Sequence, residues 1–471
     1  MSRLSGSAPI ETPLSAVFVG ADTAWKLRKS VRLPFIDFTH LPTRALAAQR
    51  ELELNRAWAP TLYRDVIAVT EGAQGPELGG NGRVIDHVVR MARVAEGDFL
   101  DVRATQGGLS PELLDGLADM VAAMHDALPP ADNNDLAALL RVTRGNLATA
   151  RVAGLPQARM SAWEAAVEAR LAAHATDLAQ RDAAGFVRRC HGDLHLGNLC
   201  LFDGKPTAFD ALEFSEDMAT IDTGYDLAFL LMDLDLRLGR AAANRVMNRY
   251  LARRPDFGML GLMPIFLSLR ALIRAHVYGN SGRDWRPYLD YAEAMLAPPP
   301  PVAVAIGGLP GSGKSTIARA IAPLLGPAPG AVVLRSDEIR KRLAGVPPEQ
   351  RLPESAYTQA SSRAVAETLV ADFTTVLRAG HAVIADQTFI DPATRAAVQR
   401  ASGDVPFFGF WLSAPPDVLR ARVAARHGDS SDATVAVLNL MLQSAPNAGN
   451  WQEIDSTDPA ASHVIATSLP H

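Results

Sequence analysis

The segment Gly308-Leu309-Pro310-Gly311-Ser312-Gly313-Lys314-Ser315 constrains this chain more than any other stretch. Its form, G-x-x-x-x-G-K-S, asks backbone N–H groups to turn inward around a phosphate with no side chain in the way. Such a loop works only between a strand and a helix. Both neighbours are present: an apolar run at 302–306 precedes it, and an amphipathic helical stretch at 315–325 follows. Lys314 then brings a mobile positive charge to the β- and γ-phosphates, and the Ser315 hydroxyl is a Mg²⁺ ligand. The helix start adds its positive dipole end. Gly308, Leu309, Pro310, Gly311, Ser312, Gly313, Lys314, Ser315 and Thr316 are therefore the candidate nucleotide-binding residues. A chance glycine-rich turn is the bland alternative, and the strand and helix on either side argue against it.

At 471 residues the chain exceeds the roughly 250–300 residues at which single cores stop growing, so two domains are expected. Pro298-Pro299-Pro300-Pro301 marks the junction, because four prolines cannot continue the helix expected over 285–296. The expected division is a first domain over 1–297, a linker over 298–301 and a second domain over 302–471. Downstream of the prolines, strand-length apolar runs at 302–306, 331–334, 382–385 and 407–412 alternate with helical stretches at 315–325 and 355–378. This pattern predicts an α/β P-loop NTPase domain with a parallel sheet covered on both faces. Upstream, 16–20 and 24–28 flank a hairpin turn, 44–57 reads as a helix, and 84–91 reads as a strand. Residues 111–178 read as helical, 190–214 as short strands and loops, and the remainder to 296 as helices.

Several residues near the P-loop suit phosphoryl transfer to a small molecule. Ser336-Asp337-Glu338-Ile339-Arg340 follows the second apolar strand, at the carboxyl edge where open α/β sheets bind ligands. Asp337 is placed to accept the proton of a hydroxyl, and Arg340 shares its helix face. Asp386 ends the third strand, where a carboxylate acts on Mg²⁺ through water. Arg422 and Arg426 are four apart on one helical face ahead of the loop at 427–431, placed to close over a transferring phosphate. The bland readings are a helix cap for Asp337 and a solvated face for the two arginines. GLPGSGKST, SDEIR, AVIADQTF and RVAARHGDSSDA together resemble the P-loop kinases that include gluconate kinase, chloramphenicol phosphotransferase and the kinase part of polynucleotide kinase. That resemblance implies a general base at Asp337, a substrate-handling Arg340, and lid arginines Arg422 and Arg426 that touch ATP. Gln387 departs from the pattern, in which a small residue is usual.

The first domain carries a second constellation, His191-Gly192-Asp193-Leu194-His195-Leu196-Gly197-Asn198. The spacing of Asp193 and Asn198 matches the protein-kinase loop H-R-D-x-x-x-x-N, in which the Asp orients a hydroxyl and the Asn helps hold Mg²⁺. Asp210, in Phe209-Asp210-Ala211, is the expected metal-binding carboxylate. Gly192 replaces the usual Arg. This stretch resembles the aminoglycoside phosphotransferase and choline kinase group, with Asp226 bracing the loop. The whole chain resembles a bacterial fusion of such a domain with a P-loop ATPase or kinase. The resemblance implies an α+β, bilobal, protein-kinase-like fold for the first domain. Such a small lobe needs a strand lysine and a helix glutamate: Lys26, with Lys29 as competitor, and Glu51, with Glu53 as competitor. A full glycine-rich flap is missing, since Gly20 alone occupies the hairpin.

Composition bounds the function. A hydrophobic share of 48%, a charged share of 21% and two cysteines describe a globular chain for a reducing, cytoplasmic setting, without a disulfide framework or a closed zinc site. Neither a signal peptide nor a membrane span is read in the sequence. A net charge of -5 disfavours general nucleic-acid binding without excluding a local groove. The leading expectation is an ATP- and Mg²⁺-dependent phosphotransferase with two nucleotide sites, acting on small-molecule hydroxyls. A second reading is a polynucleotide 5′-hydroxyl kinase in the C-terminal half, motivated by Arg335, Arg340, Lys341 and Arg342. A third makes the N-terminal half a nucleotide-binding regulatory module. Acceptor and oligomeric state are not legible.

Overall fold

In a computed structural model of the chain, residues 8–33, 36–131, 136–425, 431–444 and 447–470 are described. They cluster into two compact units: residues up to 142 together with 178–233, and residues 143–177 together with 234 onward. Residues 143–177 and 234–297, which precede the prolines, thus pack with the P-loop segment.

The first unit is built on a six-stranded antiparallel sheet. Its strands are β1 (Ile10–Glu11), β2 (Ser15–Val19), β3 (Thr23–Arg28), β4 (Tyr63–Gly72), β5 (Gly75–Leu78) and β6 (Val84–Ala92), in the order β1-β2-β3-β6-β4-β5. The hairpin at residue 20 is tight, with the Gly20 N–H donating to the Thr23 carbonyl at 2.8 Å. Helix α1 (Leu41–Arg56) turns Arg44, Ala47, Ala48, Glu51, Leu52 and Asn55 inward, the three-to-four spacing of one helical face. Ala48 and Leu52 on that face pack with Leu62, Tyr63, Val89 and Cys200. Because α1 pairs its apolar face with the sheet, Glu51 is carried into the core as a buried charge. Helix α2 (Pro111–Ala127) follows, capped by Ser110, whose side chain accepts from the Leu113 N–H. The short strands β7 (Val187–Arg189), β8 (Leu199–Phe202), β9 (Lys205–Ala208) and β10 (Thr220–Asp222) pair as β8 with β9 and β7 with β10, framing the segment between them. Helix α3 (Thr223–Leu238) begins directly behind.

In the second unit, five parallel strands follow the order β12-β13-β11-β14-β15: β11 (Ala303–Gly308), β12 (Val332–Arg335), β13 (Val383–Asp386), β14 (Phe407–Ser413) and β15 (Gln452–Asp455). All six residues of β11 are buried, as expected for a central parallel strand covered on both faces. On one side Val304, Ile306, Ile384, Phe410 and Leu412 pack with Ile317, Ile321 and Ile465. Strand β12 lies at the edge. Helix α4 (Arg240–Arg253) covers it with two asparagines: Asn244 and Asn248 donate to the Ala331 carbonyl at 3.0 and 3.1 Å, and the Val333 N–H donates to Asn248 Oδ1 at 2.7 Å. Side-chain amides there do what a further strand would do for an open edge. The α+β, kinase-like N-terminal part and the α/β C-terminal part with a parallel sheet are as the sequence implies. Strands β1, β4, β5, β7, β10 and β15 are additions to the expected list. Helix α5 (Lys314–Ile321), helix α6 (Ser336–Leu343), helix α7 (Gln359–Arg378) and helix α8 (Pro416–Ala424) complete the elements that carry the second site. Among the described residues, no helix is long and apolar enough to cross a membrane.

Candidate active sites

In the first unit, β3 alternates sides, so Lys26 and Arg28 point to the same face, and both are buried. Glu51 lies between them with its side chain fully buried: Lys26 Nζ donates to Oε1 at 2.8 Å and Arg28 to Oε2 at 2.5 Å. Lys26 also pairs with Asp210, and Arg28 with Glu213. Arg28 donates to Ser15 Oγ at 3.0 Å as well. Two cations and three carboxylates therefore share one buried cluster, as a charge removed from water requires. Burial alone pulls the Lys26 ammonium down and its neighbour Arg28 adds to that, but Asp210, Glu51 and Glu213 outweigh both, so its pKa is raised. Asp210 is lowered, because Lys26 and Arg28 override the opposing effect of burial. Glu213, more deeply buried, is pushed up to about 7.

Asp210 stands at φ 59, a left-handed conformation rare for a residue with a side chain, and three contacts fix it. Its N–H donates to the Tyr63 hydroxyl at 3.0 Å, and the next N–H, of Ala211, donates to Asn55 Oδ1 at 2.9 Å. Asn55 in turn donates to the Glu51 carbonyl at 2.8 Å. Asp193 accepts from Asn198 Nδ2 at 2.8 Å, and the same amide reaches the Asp193 carbonyl at 2.9 Å. With its N–H groups so engaged, Asn198 has its side-chain carbonyl to offer a cation. Behind the loop, buried Asp226 accepts from the His191 and Gly192 N–H groups at 3.2 and 2.9 Å, and from His125 Nε2 at 3.2 Å. Burial lowers the pKa of His191, which donates from Nε2 to the Phe209 carbonyl at 2.9 Å. The expected Lys26, Glu51 and Asp210 are thus brought together, and Asp193 and Asn198 form a second contact. Lys29 pairs instead with Glu11, and Glu53 is exposed beside Arg50. Arg28, Tyr63, Asn55 and Ser15 were not among the expected residues.

In the second unit, the P-loop joins β11 to α5. Gly311 and Gly313 stand at φ 84 and 88. A Cβ on Gly311 would lie 2.6 Å from the Leu419 carbonyl, whereas one on Gly313 would meet only open space. That space lies at the α5 N-terminus, where a phosphate fits. Lys314 Nζ donates to the Gly308 and Leu309 carbonyls at 2.9 and 3.1 Å. The Ser315 hydroxyl donates to Asp386 Oδ2 at 2.6 Å, so the expected hydroxyl and carboxylate metal ligands are adjacent. Arg335 reaches the same carboxylate at 3.5 Å and Glu338 at 2.9 Å. Asp337 has a raised pKa, chiefly from burial, against the attraction of Arg335. Arg422 donates to the Gly311 carbonyl at 3.4 Å and to the Ser456 carbonyl at 3.0 Å, which sets it beside the loop. Arg426 lies outside the described residues.

Arg340 shares α6 with Asp337 but directs its guanidinium to Ser361 Oγ at 3.2 Å and over the Tyr357 ring at 4.7 Å. The nearby basic residues are committed internally: Lys341 is buried against Asp432 at 2.9 Å and Arg342 meets Asp372 at 2.5 Å. Asp432 also accepts from the Tyr357 hydroxyl at 2.5 Å and the Leu352 N–H at 3.0 Å. Sequence reasoning missed Tyr357 and Asp432, whose positions relative to the loop depend on contacts 75 to 91 residues apart. Gln387, singled out for its polarity, buries its side-chain oxygen without a hydrogen-bond partner.

Compared with known proteins, a model of the phosphotransferase enzyme family matches residues 24–264, just over half of the chain, and one of an AAA domain matches residues 304–447. Uncharacterised proteins of Mycobacterium tuberculosis and Mycobacterium bovis are each 29% identical over 483 residues, spanning 95% of this chain and 92% of theirs. Among solved structures, a gluconokinase from Sinorhizobium meliloti is similar at 18% identity and TM-score 0.26, over 36% of this chain and 95% of that one. A thermostable mutant of an aminoglycoside phosphotransferase is similar at 14% identity and TM-score 0.41, over 62% and 94%. A glucosamine kinase is similar at 21% identity and TM-score 0.38, over 62% and 76%.

Proposed function

We propose that this chain, which belongs to the phosphotransferase enzyme family and carries an AAA domain behind the matched segment, moves phosphoryl groups from ATP to hydroxyl groups of small molecules at two separate sites. The observation that carries the reading is the pairing of Lys26 with both Glu51 and Asp210, residues 25 and 184 positions away. Three charges drawn together from distant parts of the chain, with Asp210 still part-exposed, suit a phosphate and a cation. We assign the two functions to residues 1–297 and 302–471, and a reducing cytoplasm suits the two buried free cysteines.

At the first site Lys26, held by Glu51, takes the nucleotide phosphates, and Asn198 and Asp210 would hold Mg²⁺. Asp193 orients the acceptor hydroxyl and receives its proton as the new O–P bond forms and the bond to the departing ADP breaks. At the second site the backbone N–H groups of the P-loop and the start of α5 cradle the phosphates. Lys314 turns from the Gly308 and Leu309 carbonyls to the phosphate oxygens. Ser315 and Asp386 would hold the cation there, Asp337 is the proton acceptor, and Arg422 and Arg340 supply positive charge. The metal, when bound, offsets the charge spread over the transferring phosphoryl group.

The tight turn at Gly20 favours a second reading for the first site alone: a nucleotide-binding module without turnover, since no glycine-rich flap covers the phosphates. For the polynucleotide reading, three of the four basic residues behind it, Arg335, Lys341 and Arg342, are each paired within the fold, and Arg340 is the fourth. The test is transfer of labelled γ-phosphate from ATP by the intact protein to sugars, nucleosides, amino alcohols and antibiotics. At least one acceptor should be labelled in a Mg²⁺-dependent way. Labelling of none of them, or of oligonucleotide ends only, would contradict the proposal.

A further inference from the structure

The paired cations on β3 are not equivalent. Lys26 faces Asp210, a residue whose side chain is 39% exposed, while Arg28 faces Glu213, whose side chain is 3% exposed. Both cations share Glu51, one on each oxygen. The segment from Asp210 to Glu213 is therefore tied to β3 at two points three residues apart. The outer point must open in the reaction proposed above, because a bound nucleotide and cation claim Lys26 and Asp210. The inner point is the more deeply buried of the two, although its carboxylate still lies within 4.8 Å of those of Glu51 and Asp210.

We propose that Arg28 and Glu213 are positioning residues of the first site: their ion pair keeps Asp210 aimed at the cation after Lys26 has left it for phosphate. This inference rests on the reading of Lys26 and Asp210 given above. The surrounding contacts make the inner pair a fixed point. Arg28 is further held by Ser15 Oγ at 3.0 Å and lies 5.9 Å from the Phe38 ring, itself buried. On the other strand of the clamp, the left-handed turn at Asp210 is braced by the Tyr63 hydroxyl and Asn55, so the ends of the 210–213 segment are both anchored. With Glu213 changed, the segment keeps its Leu212 contacts to His191 and Arg189 but loses its tie to β3 as Asp210 exchanges partners; with Arg28 changed, Glu51 also loses one of its two cations. Lys26 keeps its own contact to Glu51. Cation-dependent binding should therefore weaken while phosphate binding by Lys26 stays.

The experiment measures ATP binding by calorimetry on the full chain carrying Lys314→Ala, which silences the P-loop, with and without Mg²⁺. Lys26→Ala in that background should abolish the remaining binding. If no binding remains before Lys26 is changed, or if it survives that change, the reading of the first site fails and takes this inference with it. If the control behaves, Glu213→Gln, nearly isosteric, should raise the Mg²⁺ concentration giving half-maximal tightening about tenfold and leave Mg²⁺-free ATP affinity within about twofold. Arg28→Lys, which keeps the charge, should fall between the parent and Arg28→Met. Unchanged Mg²⁺ dependence in Glu213→Gln would overturn the proposal. So would an equal loss of both affinities, because a general loosening of the fold makes no such split.

Discussion

The two lysines expected on phosphate rest against different partners. Lys26 is buried and paired with two carboxylates, in a cluster that also needs Arg28 and Glu213. Lys314 donates to two backbone carbonyls of its own loop and lies close enough to Asp337 to attract its carboxylate. The first site is thus made of side-chain charges that must be matched within the protein. The second adds to the Ser315, Asp386 and Arg335 contacts a cradle of backbone N–H groups and a helix end, set by the glycines. A site of side-chain charges is costly to break, since a buried ion without its partner loses several kcal/mol. A backbone loop depends little on any one partner but strictly on conformations that only glycine adopts cheaply.

The largest expected effects separate the two catalytic groups. Asp193→Ala should lower transfer at the first site on the order of 10²–10⁴-fold, the usual worth of a positioned acid–base group, with the second site unaffected in rate assays. Loss of both activities together would break the distinction drawn between the sites. Next comes stability. Glu51→Ala, by leaving Lys26 and Arg28 short of a carboxylate, should cost about 3–5 kcal/mol in urea unfolding of the first unit. Lys314→Ala, at a part-exposed position, should cost less, and an equal cost in the two would remove the contrast. Gly313→Ala should cost about 1–2 kcal/mol from its left-handed backbone and also weaken ATP at the second site, because its new methyl enters the open space.

The smallest expected effect concerns pH, with opposite sign in the two units. Glu213, raised by burial to about 7, stabilises fully below its ordinary value of 4.5 and loses that contribution as pH rises through 7. His381, lowered by burial to about 4, stabilises above its ordinary value of 6.5 and loses that contribution as pH falls toward 4. Glu213→Gln should flatten the decline on the alkaline side, and His381→Gln that on the acid side. The check is urea midpoints between pH 4.5 and 8, and a variant that leaves its slope unchanged would remove that group from the account.

This contrast also explains what could be read from the sequence. The P-loop is contiguous, so its glycines, Lys314 and Ser315 were visible, as was the run from His191 to Asn198. Glu51 was readable from its place on α1, where 44, 47, 48, 51 and 55 share a face. Arg28 carries no comparable local signal, since it reads as one more strand cation until Glu213 is folded against it. Tyr63 and Asn55 meet the Asp210 segment across 147 and 156 residues. Strand β15 was missed because three of its four residues are exposed and only Ile454 is buried. Arg340 was placed correctly on its helix, and what the sequence did not show is that its guanidinium engages the Ser361 hydroxyl and the Tyr357 ring.

If one chain holds two independent phosphoryl-transfer sites, Mg²⁺-dependent ATP turnover across an acceptor panel will separate them. The intact protein would be compared with Lys314→Ala, Asp193→Ala and the double variant. Each single variant is expected to lose a distinct set of labelled acceptors, and the double variant to lose all of them. If Lys314→Ala alone abolishes every transfer and Asp193→Ala changes none, the first site is not a catalyst and the claim fails.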